Sequence, residues 1–132
     1  MPDNSTNHPQ PLEDSFPKSL GPYRALDLTE GGFNWCGKAL GDLGADVIKI
    51  EPPGGSPTRD RGPFFQDRES RDTSLFWNAY CVNKRSVTLD IETTEGQETF
   101  RRLARGADIV IESFAPGYMD SLGLGYDALS RE

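Results

Sequence analysis

Histidine is nearly absent from this chain: the one copy in 132 residues, His8, stands in an opening stretch of Pro, Asn, Ser and acids. A histidine general base or a histidine-built metal site is therefore not expected, because either needs that side chain inside a packed pocket. Cysteine is almost as scarce. Cys36 and Cys81 lack CxxC spacing and are read as reduced, buried packing residues, since a free cysteine behaves as a small hydrophobe. No apolar run has the length of a membrane-spanning helix, and Asp3, Glu13 and Asp14 make the amino terminus unlike an Arg-rich transit peptide. The expectation is a cytoplasmic protein without membrane contact. Basic residues are outnumbered, 14 Lys and Arg against 21 Asp and Glu, giving a net charge of −7. That balance excludes a general nucleic-acid binder, whose affinity comes from concentrated positive charge that releases counterions. A small polyanion needs only a local basic pocket. Hydrophobic residues make up 35%, low enough to predict a modest core.

What is present is ordered. Residues 1–19 have almost no adjacent apolar side chains and are expected to be a mobile tail, because burial there cannot offset the entropy of ordering. Residues 20–132 read as one folded unit. Tyr23 to Thr29 is a predicted strand, and Gly31-Gly32 permits a tight turn into a helix in which Phe33, Cys36, Leu40 and Leu43 share one face and are expected to face the core. Gly44 is its stop. Gly37 and Gly41 share a second face, where missing side chains would let the helix lie close on a sheet. Asp46 to Glu51 is a β-branched run fit for a buried parallel strand. A long loop from Pro52 to Arg71 follows, then a helix near Ser74 to Tyr80, a strand at Ser86 to Leu89, a helix at Thr94 to Arg105 capped by Thr93 or Thr94 and ended by Gly106, and a strand at Ala107 to Glu112. Alternating strands and helices predict an α/β fold with a largely parallel, doubly wound sheet and helices on both faces. Ligands on such sheets bind beyond the carboxyl ends of the strands.

A strand, a Gly pair, a helix and a strand ending in Glu51 copy the outline of a nicotinamide-binding unit. The fingerprint fails, because Gly31-Gly32-Phe33-Asn34-Trp35-Cys36-Gly37 is not G-x-G-x-x-G, and a side chain stands where bare backbone should meet the pyrophosphate. An NAD-binding domain thus remains only as an alternative.

From about Gly21 to Glu132 the chain resembles the amino-terminal part of the family III CoA transferases, the group that includes formyl-CoA transferase, carnitine CoA-transferase and α-methylacyl-CoA racemase. The resemblance is carried by Leu26-Asp27-Leu28-Thr29, the run Leu43-Gly44-Ala45-Asp46-Val47-Ile48-Lys49-Ile50-Glu51-Pro52-Pro53-Gly54-Gly55, Asn83-Lys84-Arg85-Ser86, Leu89-Asp90, Glu95-Gly96, Ala107 through Phe114, and Pro116-Gly117. It implies a Rossmann-like, mostly parallel sheet that holds CoA, incomplete here as the front portion of a larger CoA-transferase domain. It also implies an interlocked homodimer for the full-length family, and an aspartate nucleophile placed beyond Glu132, so that no catalytic residue lies in this chain. Acyl-CoA and a carboxylic acid are the implied partners, with CoA as substrate and no permanently bound cofactor or metal. The other alternative is a non-catalytic fragment or interaction module that holds no CoA.

Lys84 and Arg85, with Asn83 orienting them, are candidates for charge-assisted bonds to CoA phosphates; they could instead pair with nearby acids. By resemblance, Leu89 stands where strand backbone meets the adenosine end, and Ser113, Phe114 and Ala115 stand in a loop that faces CoA. Three positions depart from the family pattern toward lost polarity or positive charge: Glu92 where Lys is frequent, Ser113 where Asn is usual, and Ser121 where some members have Arg. Thr29-Glu30-Gly31-Gly32-Phe33 replaces the more common Ala-Gly-Pro segment. Glu92 would repel a phosphate unless Arg59, Arg61 or Arg71 of the long loop intervenes. Asp27 is read as a cap on neighbouring backbone rather than a nucleophile, and Trp35 and Trp77 as core residues rather than adenine stackers.

Overall fold

The computed structural model describes residues 19–131, so the tail expectation, Ser19 apart, and His8 lie outside the described residues. Four strands, β1 (Arg24–Leu28), β2 (Asp46–Glu51), β3 (Lys84–Thr88) and β4 (Ile109–Glu112), form one sheet in the order β3-β2-β1-β4. All three pairings are parallel, with Leu26 opposite Ile48 and Val110, and Val47 opposite Lys84. Helices α1 (Asn34–Asp42), α2 (Leu75–Tyr80), α3 (Thr94–Ala104), α4 (Tyr118–Ser121) and α5 (Tyr126–Leu129), with short 3-10 turns at Gly31–Phe33, Pro57–Asp60 and Phe65–Asp67, complete the described elements.

The period-2 alternation of the inner strands gives the sheet two unlike faces. Leu26, Leu28, Ile48 and Ile50 turn one way and pack with Phe100 of α3, Ile91, Met119 and Leu124 in the main core. Phe100 is fully buried, a gain of roughly 1.5–3 kcal/mol over leaving it in water. Thr93 starts α3 as expected, its hydroxyl accepting the Gly96 N–H at 3.0 Å. On the opposite face Ala25 and Val47 pack with Leu40 of α1, so the sheet is covered on both sides. The next inward positions on that face are Asp27 and Lys49, in register with one another and both fully buried.

That polar layer overturns the expectation for α1. Phe33 is 69% and Leu43 53% exposed, Cys36 is exposed, and only Leu40 of the predicted apolar face packs inward. Instead the helix lays Asn34, Gly37 and Gly41 on the sheet. A Cβ on Gly37 would stand 2.0 Å from Asp27 Oδ2, and one on Gly41 2.8 Å from the Asn83 carbonyl oxygen. Short side chains win here because the helix must approach a layer of ion pairs, where bulky apolar groups would gain nothing. The close-approach reading of the two glycines holds. Trp35 is likewise a correction, at 58% exposure, whereas Trp77 is buried.

β3 starts two residues earlier than expected. Lys84 joins the ladder because its stem lies along the sheet and its ammonium reaches Asp27. The long loop is tied internally: Arg71 donates to the carbonyls of Gly54, Gly55 and Ser56, and Phe64 pairs with Ser74 in an antiparallel bridge. No helix among the described residues is long and apolar enough to cross a membrane.

The cysteines separate in the same way as the tryptophans. Cys81 is buried, and burial pushes its thiol up to about 11, whereas Cys36 is exposed. Iodoacetamide at neutral pH is expected to alkylate Cys36 rapidly and Cys81 only after denaturation, because the thiolate is the attacking species. Peptide mass spectrometry over a time course checks this; equal rates would contradict the burial of Cys81.

Candidate functional site

The carboxyl ends of β1 and β4 open onto a cleft of about 430 Å³ lined by Glu30, Gly31, Phe33, Thr58, Arg61 and Ser113 among others. Its floor is the turn that carries β1 into α1. Gly31 takes φ +59, a left-handed conformation open to glycine, and its N–H donates to Thr58 Oγ1 at 2.9 Å. The neighbouring Glu30 N–H donates to Ser113 Oγ at 2.9 Å, which ties the exit of β1 to that of β4. The Glu30 carboxylate accepts from Thr58 Oγ1 at 2.6 Å and from Ser56 Oγ, and it lies 3.6 Å from the Lys49 ammonium.

Beneath this floor lies a compact ionic layer. Asp27 caps its own strand end, accepting from the Thr29 N–H at 2.8 Å and the Thr29 hydroxyl at 2.6 Å. Its other oxygen lies 2.7 Å from the Lys84 ammonium, which also donates to the Asn34 carbonyl at 2.8 Å. Lys49 stands 3.9 Å from Asp27 and donates to the Thr29 carbonyl. Two acids, Asp27 and Glu30, thus face two lysines, Lys49 and Lys84, and the layer is neutral as a whole.

A second carboxylate organises the loop. Burial works against ionisation of Glu51, but hydrogen bonds from Arg59, from the Ser56 N–H and from Ser86, together with the Arg59 charge, outweigh it and hold the carboxyl at about 2. Arg59 also lies 3.8 Å over the Trp77 ring. With Arg71 held on backbone carbonyls and Asp60, Arg61 differs from both Arg59 and Arg71. Its guanidinium stands 5.1 Å from the centroid of Phe76 at the cleft and forms no ion pair among the described residues.

The residues singled out from the sequence fall into two groups. Leu89, Ser113, Phe114 and Ala115 follow the carboxyl ends of β3 and β4. Leu89 donates its N–H to the Glu51 carbonyl at 2.9 Å, Ser113 lines the cleft, and Phe114 packs against the main core and Tyr118, 4.7 Å between ring centroids. Ala115 is exposed and borders a second hollow of about 790 Å³ along β4. Asn83, Lys84 and Arg85 stand at the amino-terminal end of β3. Asn83 donates to Asp42 at 2.9 Å, Lys84 is bound to Asp27, and Arg85 grips Asp46 at 2.9 and 2.6 Å. Burial works against ionisation of Asp46, and the guanidiniums of Arg24 and Arg85 outweigh it, leaving that carboxyl below its usual value.

Glu92 accepts from the Tyr118 hydroxyl at 2.8 Å, a bond that raises the phenol's pKa, and neither Arg59, Arg61 nor Arg71 pairs with it among the described residues. Ser121 donates to the Tyr118 carbonyl at 2.7 Å. Sequence reasoning did not single out Ser56, Thr58 or Lys49, nor assign Glu30 a partner. The available signal was Lys49 inside an otherwise apolar run, on a β-strand whose neighbour carries Asp27.

The sequence profile of CoA-transferase family III matches residues 23–132. The chain is 42% identical over 110 residues to a succinyl-CoA:(R)-benzylsuccinate CoA-transferase subunit of Thauera aromatica, covering 83% of this chain and 27% of that protein. It is 39% identical over 127 residues to a succinyl-CoA–D-citramalate CoA-transferase of Chloroflexus aurantiacus, covering 96% of this chain and 29% of the relative. The crystal structure of a hypothetical protein from Mycobacterium tuberculosis superposes with a TM-score of 0.77 at 38% identity, over 88% of this chain and 31% of the other. The chain therefore spans less than a third of the length of these proteins. A parallel sheet in the order β3-β2-β1-β4, a profile match reaching from before β1 to Glu132, and relatives near 40% identity together make this chain a member of CoA-transferase family III.

Proposed function

We propose that this chain supplies the CoA-binding portion of an enzyme that moves CoA between carboxylic acids. The observation that carries the reading is the cleft at the strand exits of a family III sheet, formed where α/β folds bind their ligands. In the proposed reaction an aspartate supplied by sequence beyond Glu132 attacks the acyl-CoA thioester carbonyl, forming a mixed anhydride and releasing CoA thiolate. The thiolate then attacks the aspartyl carbonyl, freeing the first acid and leaving an aspartyl-CoA thioester. A second carboxylate attacks that thioester and takes its place in a new anhydride, from which the returning thiolate forms the product acyl-CoA and restores the aspartate.

Within this scheme Leu89, Ser113, Phe114 and Ala115 face CoA, and Asn83 through its hydrogen bond to Asp42, with Lys84 and Arg85 through their ion pairs, serve it by fixing α1, β1 and β2 beneath the cleft. Both outer strands are more exposed than the inner pair, with Val87 39% and Val110 37% exposed, which suits a sheet continued by further chain. An interlocked homodimer in the cytoplasm belongs to the same proposal. Chromatography of the full chain on immobilised CoA and on immobilised NAD tests it. Retention on CoA with elution by free CoA is the expected result. Retention on NAD alone would end the transferase reading.

A further inference from the structure

The charges around the cleft cancel in pairs, Asp27 and Glu30 against Lys84 and Lys49, and Glu51 against Arg59. Arg61 is left over. Its guanidinium lines the cleft, is steadied over the Phe76 ring, and forms no ion pair among the described residues. Gly31 makes room for it: a Cβ there would stand 3.0 Å from Arg61 Nη1, whereas one on Gly32 would meet nothing within 4 Å, so the cleft opens over Gly32. Across the cleft the Ser113 hydroxyl accepts from Glu30 N–H and, among the described residues, donates to no partner. A fixed cation and a free hydroxyl donor thus face the same space.

We infer that Arg61 is the specificity residue for a free carboxylate on the acyl group, so that the acid handled here is dicarboxylic. A planar guanidinium matches one carboxylate by two parallel hydrogen bonds, with Ser113 within the same cleft as a further donor. Charge decides between this ligand and a CoA phosphate. One uncompensated positive charge balances one carboxylate, whereas a phosphate monoester brings a second negative charge that, among the described residues, no further cation lining the cleft meets. Size agrees, because about 430 Å³ leaves room for an acyl group beside Arg61 and Ser113. The identification of that acid as a substrate rests on the transferase reading above.

The test uses the full chain, wild type and Arg61→Gln, with circular dichroism to verify that both fold and Arg61→Lys as a second variant. Amide chemical shifts are followed on titration with succinate and butyrate, then with succinyl-CoA, butyryl-CoA and CoA. Succinate and butyrate share a four-carbon chain and differ in one carboxylate. The wild type is expected to prefer succinate over butyrate, and succinyl-CoA over butyryl-CoA, by about tenfold or more, the size of a charge-assisted hydrogen bond. Arg61→Gln should abolish the preference and leave CoA binding unchanged, while Arg61→Lys retains part of it. No preference in the wild type, or an undiminished one in Arg61→Gln, would overturn the assignment. So would an equal loss for CoA and butyryl-CoA, which would make Arg61 a phosphate contact. A chain that prefers succinate yet binds no form of CoA would sink the transferase reading and leave Arg61 as a carboxylate site.

Discussion

Asp27→Ala is expected to lower the unfolding free energy of the full chain by about 3–5 kcal/mol, the range seen when one partner is removed from a buried ion pair. Asp27 is fully buried, and the side chains of Lys84 and Lys49 are each 1% exposed. Without the carboxylate, Lys84 keeps only the Asn34 carbonyl and Lys49 the Thr29 carbonyl and the more distant Glu30. Two ammonium groups would then share one acid in a water-poor layer. The same deletion removes the cap on Thr29, whose N–H and hydroxyl both donate to Asp27. Denaturant midpoints with unchanged slopes would measure the loss. Asp27→Ala/Lys84→Met should recover at least about half of it, since the double variant removes the orphaned charge along with its partner. A loss below about 1 kcal/mol in the single variant would mean that water reaches this layer and that the pair contributes little.

The strands could be read from the sequence because their physics is local. Val47, Ile48 and Ile50 are β-branched, and Pro52 follows to end the run, so no tertiary information was needed to place β2. Thr93 and Gly44 mark helix ends by capping chemistry that acts within a few residues. The orientation of α1 was not legible for the opposite reason. Which side of a helix packs depends on what the sheet offers, and the sheet offers Asp27, Lys49 and Lys84, brought together from residues 22 and 57 positions apart in sequence. Phe33 and Leu43 point outward because the helix approaches that layer through Asn34 and Gly37.

The candidate site was legible in outline, while the partners of its charged residues were not. Ser113 and Leu89 came from the family resemblance, and both follow carboxyl ends of parallel strands, where α/β sheets hold ligands. Asn83, Lys84 and Arg85 were singled out separately, for CoA phosphates, and they open β3 while Leu89 follows its end. A five-residue strand separates its two ends by about 13 Å. Lys84 bridges part of that distance with its long stem, but its charge is spent on Asp27. Arg61 was named from the sequence only alongside Arg59 and Arg71 of the same loop. What distinguishes it is that Glu51 holds Arg59 and the carbonyls of 54–56 hold Arg71.

Gly37→Ala is expected to cost about 3 kcal/mol, against the ordinary trend for helices. In an exposed helix interior, replacing Gly by Ala stabilises by about 0.8–1.0 kcal/mol, because alanine loses less backbone entropy. Gly37 sits in α1, where a Cβ would stand 2.0 Å from Asp27 Oδ2, 2.8 Å from its Cγ and 3.0 Å from Lys84 Nζ. Neither group can yield freely: Asp27 is held by Thr29 and Lys84, and Lys84 by Asp27 and the Asn34 carbonyl. The helix must lift off the sheet, or the ion pair must open inside a dry layer, and either costs more than the propensity gain. Gly32→Ala is the control, since a Cβ there meets nothing within 4 Å and its φ is not left-handed, so stability should stay within about 0.5 kcal/mol. The sign of the Gly37 effect is the discriminating readout. A Gly37→Ala protein as stable as wild type, or more so, would mean that α1 does not rest on the Asp27–Lys84 pair, and the floor of the cleft described above would have to be rebuilt from a different helix position.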